Sequence, residues 1–363
     1  MKKAVLSKED AAFHVAPTAP VLVIYGPTGA GKTVWIESVI PLLKERGLNV
    51  ATVKSCHHDL DLEPAGKDSA RHLTAGAVKT LLLSPSKKAM MENRANDDLD
   101  AIRALALEPG IDLILVEGAR ASEFPKIALL STQKSWNLPE PFPLIAFAGR
   151  PPLASWRMEW TEPRGAAQGI MEWLELRRNA RGILGVILAG GSGKRIGGRI
   201  KARLKYQGMT LADRSAALLR CFVERVVIAS PRPEECADLG FEIVADKPGI
   251  AGPLGGLVSA LEKSERGILM MAVDQVGLTP PTLAEILRAG LASGSSVLAD
   301  AAEIIPTVSF LARESLSDII RRAEEGDTSL RGALEDAVTI KAGSGEEADL
   351  DTPEDLARFG IAG

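Results

Sequence analysis

VLVIYGPTGAGKT, residues 21–33, is the stretch on which the reading of the chain turns. Its first five residues are a short apolar, β-branched run of strand length, and the eight that follow satisfy G-x-x-x-x-G-K-[ST]. Gly26, Gly29 and Gly31 permit the backbone angles that turn successive N–H groups inward around phosphate oxygens. In that cradle Lys32 is expected to reach the β and γ phosphates. The Thr33 hydroxyl is expected to ligate Mg²⁺, and the start of the following helix to add its dipole. The pattern predicts a helix over 33–46 ending at Gly47 and a strand over 50–53 that completes a βαβ unit. A further buried strand is predicted over 112–116. Glu117 then closes an apolar strand where a Walker B-like acid would contact Mg²⁺ through water.

The same grammar restarts at GILGVILAGG, residues 182–191, where a second apolar strand runs into a glycine cluster. Strands are predicted at 226–229, 243–245, 268–273 and 297–299, with a helix over 280–288. The fold class is therefore α/β with two doubly wound domains, residues 1–178 being P-loop NTPase-like and residues 179–363 Rossmann-like. A chain of 363 residues is long enough for two cores of ordinary size.

Composition sets outer limits on function. With 46% hydrophobic and 25% charged residues the chain reads as globular, and a net charge of −4 with 4% aromatic residues argues against nucleic acid as a partner. Three scattered cysteines, Cys56, Cys221 and Cys236, suit a reducing compartment, and no apolar run reaches membrane-spanning length. A cytoplasmic placement without membrane contact is the expectation.

After the phosphate cradle the first half resembles the MobB-type molybdopterin-guanine dinucleotide biosynthesis adapters. The shared stretches are GPTGAGKT, then TVKSCHHDLDLEPAGKDSARHLTAGA over 52–77, then DLILVEG over 112–118 with Lys126 following. The resemblance implies a GTP-binding domain that serves as a nucleotide-dependent partner. It also implies molybdoenzymes or their chaperones as further partners, and a homo-oligomer formed through this domain. His57 and His58 form a polar cluster after the strand at 50–53; whether it is an ordinary loop or a ligand site stays open, because two adjacent histidines do not define a metal site.

LAGG-x-x-x-R-x-G-G over 188–198, followed by Lys201, looks like the opening of the MobA-type molybdenum cofactor guanylyltransferases. The likeness continues through Asp246, the GPLGG loop at 252–256, Asp274, Pro306-Thr307 and DLDTPE at 349–354. It implies that Leu188, Ala189, Gly190, Gly191, Arg195 and Lys201 receive the nucleotide and that Asp246 contacts the nucleoside. Asp274 would hold Mg²⁺, as strand-end aspartates commonly do in phosphate chemistry, and Asp349 or Asp351 would complete the metal or pterin site. Arg203 and Lys205 read as a solvated face.

Three positions depart from the family pattern. Ile200 stands where an aspartate usually precedes the loop lysine, Gln275-Val276 where a residue and proline follow the strand-end aspartate, and Ile305 where a histidine often precedes Pro-Thr. The reaction these residues imply is in-line attack of the molybdopterin phosphate on the α-phosphorus of GTP, with Lys201, Arg195 and Mg²⁺ neutralising charge. The alternatives are a cytidylyl- or sugar-phosphate nucleotidyltransferase, and a non-catalytic nucleotide-switched cofactor carrier.

Overall fold

The computed structural model describes residues 18–55, 68–92, 98–118, 122–129, 142–148, 160, 162–190, 196–250, 252–300, 304–343, 346 and 348–361. These fall into two compact units, one reaching Val23 and resuming over Leu48–Ser122, the other comprising Ile24–Gly47 and the chain from Glu123 onward.

Strand β1 (Val21–Tyr25) runs through the first of these boundaries and is buried at all five residues. The first unit then holds β2 (Val50–Lys54), α2 (Asp68–Thr74), a hairpin of β3 (Lys79–Leu83) and β4 (Lys88–Glu92), α3 (Asp98–Ala106) and β5 (Leu113–Glu117). Strands β2 and β5 pair in parallel with Lys54 opposite Glu117. Helix α3 starts with Asp98 and Asp100, which complement its dipole, and buries Ile102 and Ala106. In the hairpin Leu81 faces Met90, and both are exposed, as are Val78 and Leu83.

The second unit opens with α1 (Lys32–Glu45), β6 (Lys126–Leu129), β7 (Leu144–Ala148) and α4 (Pro163–Asn179). Strands β6 and β7 are parallel. Helix α4 has Pro163 at its first position, where its missing N–H costs nothing, and buries Ile170, Trp173 and Leu174. Trp173 Nε1 donates to the Cys221 carbonyl at 2.9 Å. The Cys221 thiol is fully buried, and burial pushes it up to about 12 against the opposing charges of Arg177 and Lys126.

The rest of the unit comprises a seven-stranded sheet, its helices and a separate two-stranded pair. Its elements are β8 (Ile183–Leu188), the short pair β9 (Lys205–Tyr206) and β10 (Met209–Thr210), α5 (Leu211–Arg220), β11 (Arg225–Ala229), β12 (Glu242–Val244), α6 (Pro253–Lys263) and β13 (Gly267–Ala272). Then follow α7 (Pro280–Ser293), β14 (Val297–Asp300), β15 (Ile304–Ala312), α8 (Leu316–Glu324), α9 (Leu330–Ala333), β16 (Val338–Lys341) and α10 (Pro353–Arg358). The order is β12-β11-β8-β13-β15-β14-β16. One face packs Leu184, Val186, Ile268 and Met270 on Leu254, Leu257 and Leu261 of α6 and Ile319 of α8. Burial on both faces explains why β8 and β13 read as unbroken apolar runs.

Strand β15 is antiparallel to both β13 and β14. Only three residues, 301–303, separate it from β14. A parallel crossover needs a dozen or more, so the chain must turn back. Pro306, which lacks a ladder donor, falls in the stretch where the β14–β15 register shifts.

Candidate active site

The phosphate loop lies between β1 and α1. Gly31 adopts the left-handed conformation (φ 80°) at the helix start, and its carbonyl accepts the first helical bond from Trp35 N–H at 2.9 Å. Gly26 admits no side chain, because a Cβ there would lie 2.8 Å from the Leu129 carbonyl oxygen on β6. Lys32 Nζ donates to the carbonyls of Gly26 at 3.1 Å and Pro27 at 2.9 Å, so the amine lies over its own loop. Thr33 is exposed one residue further on. In the first unit, Glu117 ends β5 and its carbonyl accepts from Ser55 N–H at 2.9 Å. His57 and His58 lie outside the described residues.

Lys126, which follows the stretches resembling the adapter family, is the largest fully buried side chain among the described residues. Its Nζ donates to the carbonyls of Phe124 at 3.0 Å and Phe142 at 2.7 Å. Burial lowers it to about 8, against the raising effects of Cys221 and Glu123.

In the seven-stranded sheet, β8 leads to β11 on one side and pairs with β13 on the other, both in parallel. That reversal is a topological switch point, and ligands of open α/β sheets bind outside the carboxyl ends of such strands. Leu188 ends β8 opposite Ala272. Its carbonyl accepts from Val273 N–H at 3.1 Å, and Ala189 N–H donates to the Ala229 carbonyl at 2.9 Å. These bonds fix the start of the LAGG turn and bring Gly190 and Asp274 to one sheet edge. Gly191 and Arg195 lie outside the described residues.

Lys201 opens a short 3-10 turn, and its Nζ donates to Asp274 Oδ2 at 2.5 Å and Asp351 Oδ1 at 2.6 Å. Burial alone would lower this lysine. The charge and hydrogen bond of Asp274, joined by those of Asp351, outweigh it and hold the amine above the usual lysine range. Asp349 is raised, first by burial and then by the like charges of Asp351 and Asp274, with Lys201 opposing. Three sequence-distant segments thus meet as one charged cluster. Asp246 follows β12 against the start of α6: a Cβ on Gly255 would lie 2.8 Å from Asp246 Cβ, and one on Gly256 3.2 Å from Asp246 Oδ1. Those glycines admit the carboxyl, whose pKa burial raises. Arg203 is exposed and paired with Asp238, in line with a solvated face.

A strand-loop-helix phosphate cradle and an α/β sheet with an acidic, lysine-bearing switch point define a nucleotide-handling protein with a nucleotidyltransferase-type centre. The description "Molybdopterin guanine dinucleotide synthesis protein B" fits residues 21–149, and "MobA-like NTP transferase domain" fits residues 185–341. The molybdopterin-guanine dinucleotide biosynthesis adapter of Escherichia coli is 35% identical over 113 residues, 30% of this chain and 65% of that protein. Its counterpart in Haemophilus influenzae is 35% identical over 122 residues, 33% of this chain and 68% of that protein. A probable molybdenum cofactor guanylyltransferase of Opitutus terrae is 32% identical over 154 residues, 41% of this chain and 76% of that protein. The chain belongs to the MobB adapter family through its first part and to the MobA-like nucleotidyltransferases through its second. At family level its pathway is molybdopterin guanine dinucleotide biosynthesis. Among the described residues no helix is long and apolar enough to cross a membrane.

Proposed function

We propose that the chain transfers GMP from GTP to molybdopterin, releasing pyrophosphate and forming molybdopterin guanine dinucleotide. Residues 179–363 would carry the transfer and residues 1–178 a GTP-binding adapter; the two family matches lie on either side of that boundary. The observation that carries the reading is the meeting of Lys201 with Asp274 and Asp351 beside the LAGG turn.

In this reading Leu188, Ala189, Gly190 and Gly191 present backbone to the triphosphate, and Asp246 holds the nucleoside. Lys201, with Arg195, counters the charge that grows on the leaving pyrophosphate. The molybdopterin phosphate attacks the α-phosphorus in line, so alignment and charge neutralisation suffice and no covalent enzyme intermediate forms. Mg²⁺ fits the donor set: Asp274 and Asp351 offer hard carboxylate oxygens, and the ion is usually held by one or two carboxylates plus substrate phosphates. Asp274 and Asp351, with Asp349 beside them, would hold it, and when bound it supplies charge neutralisation at the α- and β-phosphates.

In the first part Gly26, Gly29, Gly31, Lys32 and Thr33 would cradle a second GTP, with Thr33 and Glu117 toward its Mg²⁺. The exposed Leu81–Met90 pair on the β3–β4 hairpin supports a homo-oligomer through this part. Molybdoenzymes or their chaperones would receive the product. Incubating the chain with GTP, Mg²⁺ and molybdopterin is expected to release pyrophosphate. Pyrophosphate from CTP in place of GTP would replace the base assignment, and nucleotide binding without any pyrophosphate would favour a carrier.

A further inference from the structure

Two segments at the sheet edge carry the acidic residues of the transfer site, 274–279 after β13 and, before α10, residue 346 with 348–351. They are linked at three points. Lys201 bridges Asp274 and Asp351, Gly277 N–H donates to the Ala348 carbonyl at 3.2 Å, and the Thr279 hydroxyl donates to the Glu346 carboxylate. Each step forward along the first segment is matched by an equal step back along the second. The links therefore hold one antiparallel register, with the lysine bridge at one end and Glu346 at the other.

Glu346 is only 5% exposed. Its carboxylate also accepts from the Thr282 hydroxyl and from Gly343 N–H at 2.7 Å. A buried carboxylate is costly unless donors surround it, and here three do. Thr279 and Thr282 flank the start of α7, where the helix dipole favours an anion. The Thr279 side chain makes no bond to its own helix and is directed to Glu346 instead. This arrangement ties the segment bearing Asp349 and Asp351 to the segment that follows Asp274.

We propose that Glu346 is a positioning residue for nucleotidyl transfer: it clasps the far end of this zipper and thereby sets the reach of Asp351 toward Lys201 and Asp274. The proposal rests on the reading of those three residues as the transfer centre. Leu350, fully buried between Asp349 and Asp351, anchors the same segment independently, so loss of the clasp shifts the carboxylates without unfolding the unit.

The test uses the full chain as Glu346→Gln and, separately, as Thr279→Val with Thr282→Val, which removes two donors and keeps volume. Both are expected to lower kcat for pyrophosphate release about tenfold while KM for GTP stays within about twofold, the signature of lost alignment. Acetylation of Lys201 by acetic anhydride, read by mass spectrometry, is expected to speed up about threefold as the bridge opens more often, with Lys263 unchanged. In an Asp351→Asn background, Glu346→Gln should add no further loss. Wild-type kcat and Lys201 protection in both variants would overturn the proposal, as would losses that simply add to that of Asp351→Asn. If the wild-type chain released no pyrophosphate, the transfer reading would fall, while the acetylation arm would still decide whether the clasp holds the bridge.

Discussion

Lys32 and Lys201 both belong to glycine-rich turns at the end of a parallel strand, yet they are held in different ways. Lys32 lies on the carbonyls of Gly26 and Pro27, six and five residues away in its own loop. Lys201 is held by carboxylates 73 and 150 residues away. Neutral carbonyls release an ammonium to an incoming phosphate easily, whereas a doubly paired ammonium stays in place and neutralises its partners. The first arrangement suits a lysine that moves when nucleotide arrives, the second a fixed charge around which a site is assembled.

Lys201→Ala is expected to have the largest effect, lowering the pyrophosphate-release rate by about tenfold or more, roughly 1.4 kcal/mol of transition-state stabilisation. Lys32→Ala should leave that rate within about twofold while removing one nucleotide-binding event per chain in calorimetry. A transfer rate that collapses in Lys32→Ala and survives in Lys201→Ala would invert the comparison.

Gly26→Ala sharpens it on the side of the loop. A methyl group placed 2.8 Å from the Leu129 carbonyl, at a φ of 159°, should destabilise the chain by about 1–3 kcal/mol in urea titrations and weaken nucleotide binding at the cradle.

Lys126 adds a third mode, an ammonium buried on strand-end carbonyls. Its folded value of about 8 lies below its ordinary 10.5, so between those limits the unfolded chain binds more protons and this group makes stability rise with pH. Lys126→Met should flatten that slope by at most about 1.4 kcal/mol per pH unit, measured as the difference from wild type between pH 8 and 10. Cys221 acts in the opposite direction above its ordinary 9.0, because its thiol is raised, and since the Lys126 charge opposes that rise the measured difference contains the coupling of the two groups. An unchanged slope would mean that Lys126 titrates normally. The smallest effect is expected for Arg203→Ala, whose exposed pairing with Asp238 leaves the transfer rate unchanged.

The parts legible in the sequence were those coded by contiguous residues. The motif at 26–33 announced its strand and helix because the chemistry needs those glycines in that order. The apolar runs of β8 and β13 were equally plain, since burial on both faces leaves no polar interruption. What escaped depended on distant partners or connection length. Nothing in IIPTVSFLA marks β15 as antiparallel except the short link before it. Nothing in the sequence around Lys126 marks it as buried; the carbonyls of Phe124 and Phe142 that hold it are local and distant partners visible only in the fold. Glu346 stands in a Gly-Ser-Gly-Glu-Glu stretch that resembles solvated loop, and only the facing threonines give it a role. Asp274 and Asp351 were found through resemblance, and their shared lysine is visible only in three dimensions.

The Cys221 thiol keeps its proton to about pH 12. For labelling chemistry it is an inert group, since alkylating dyes react with thiolates. A cysteine introduced at an exposed position could therefore carry a fluorophore while Cys221 stays silent. Any reaction there would mark the moments when the packing around Trp173 comes apart.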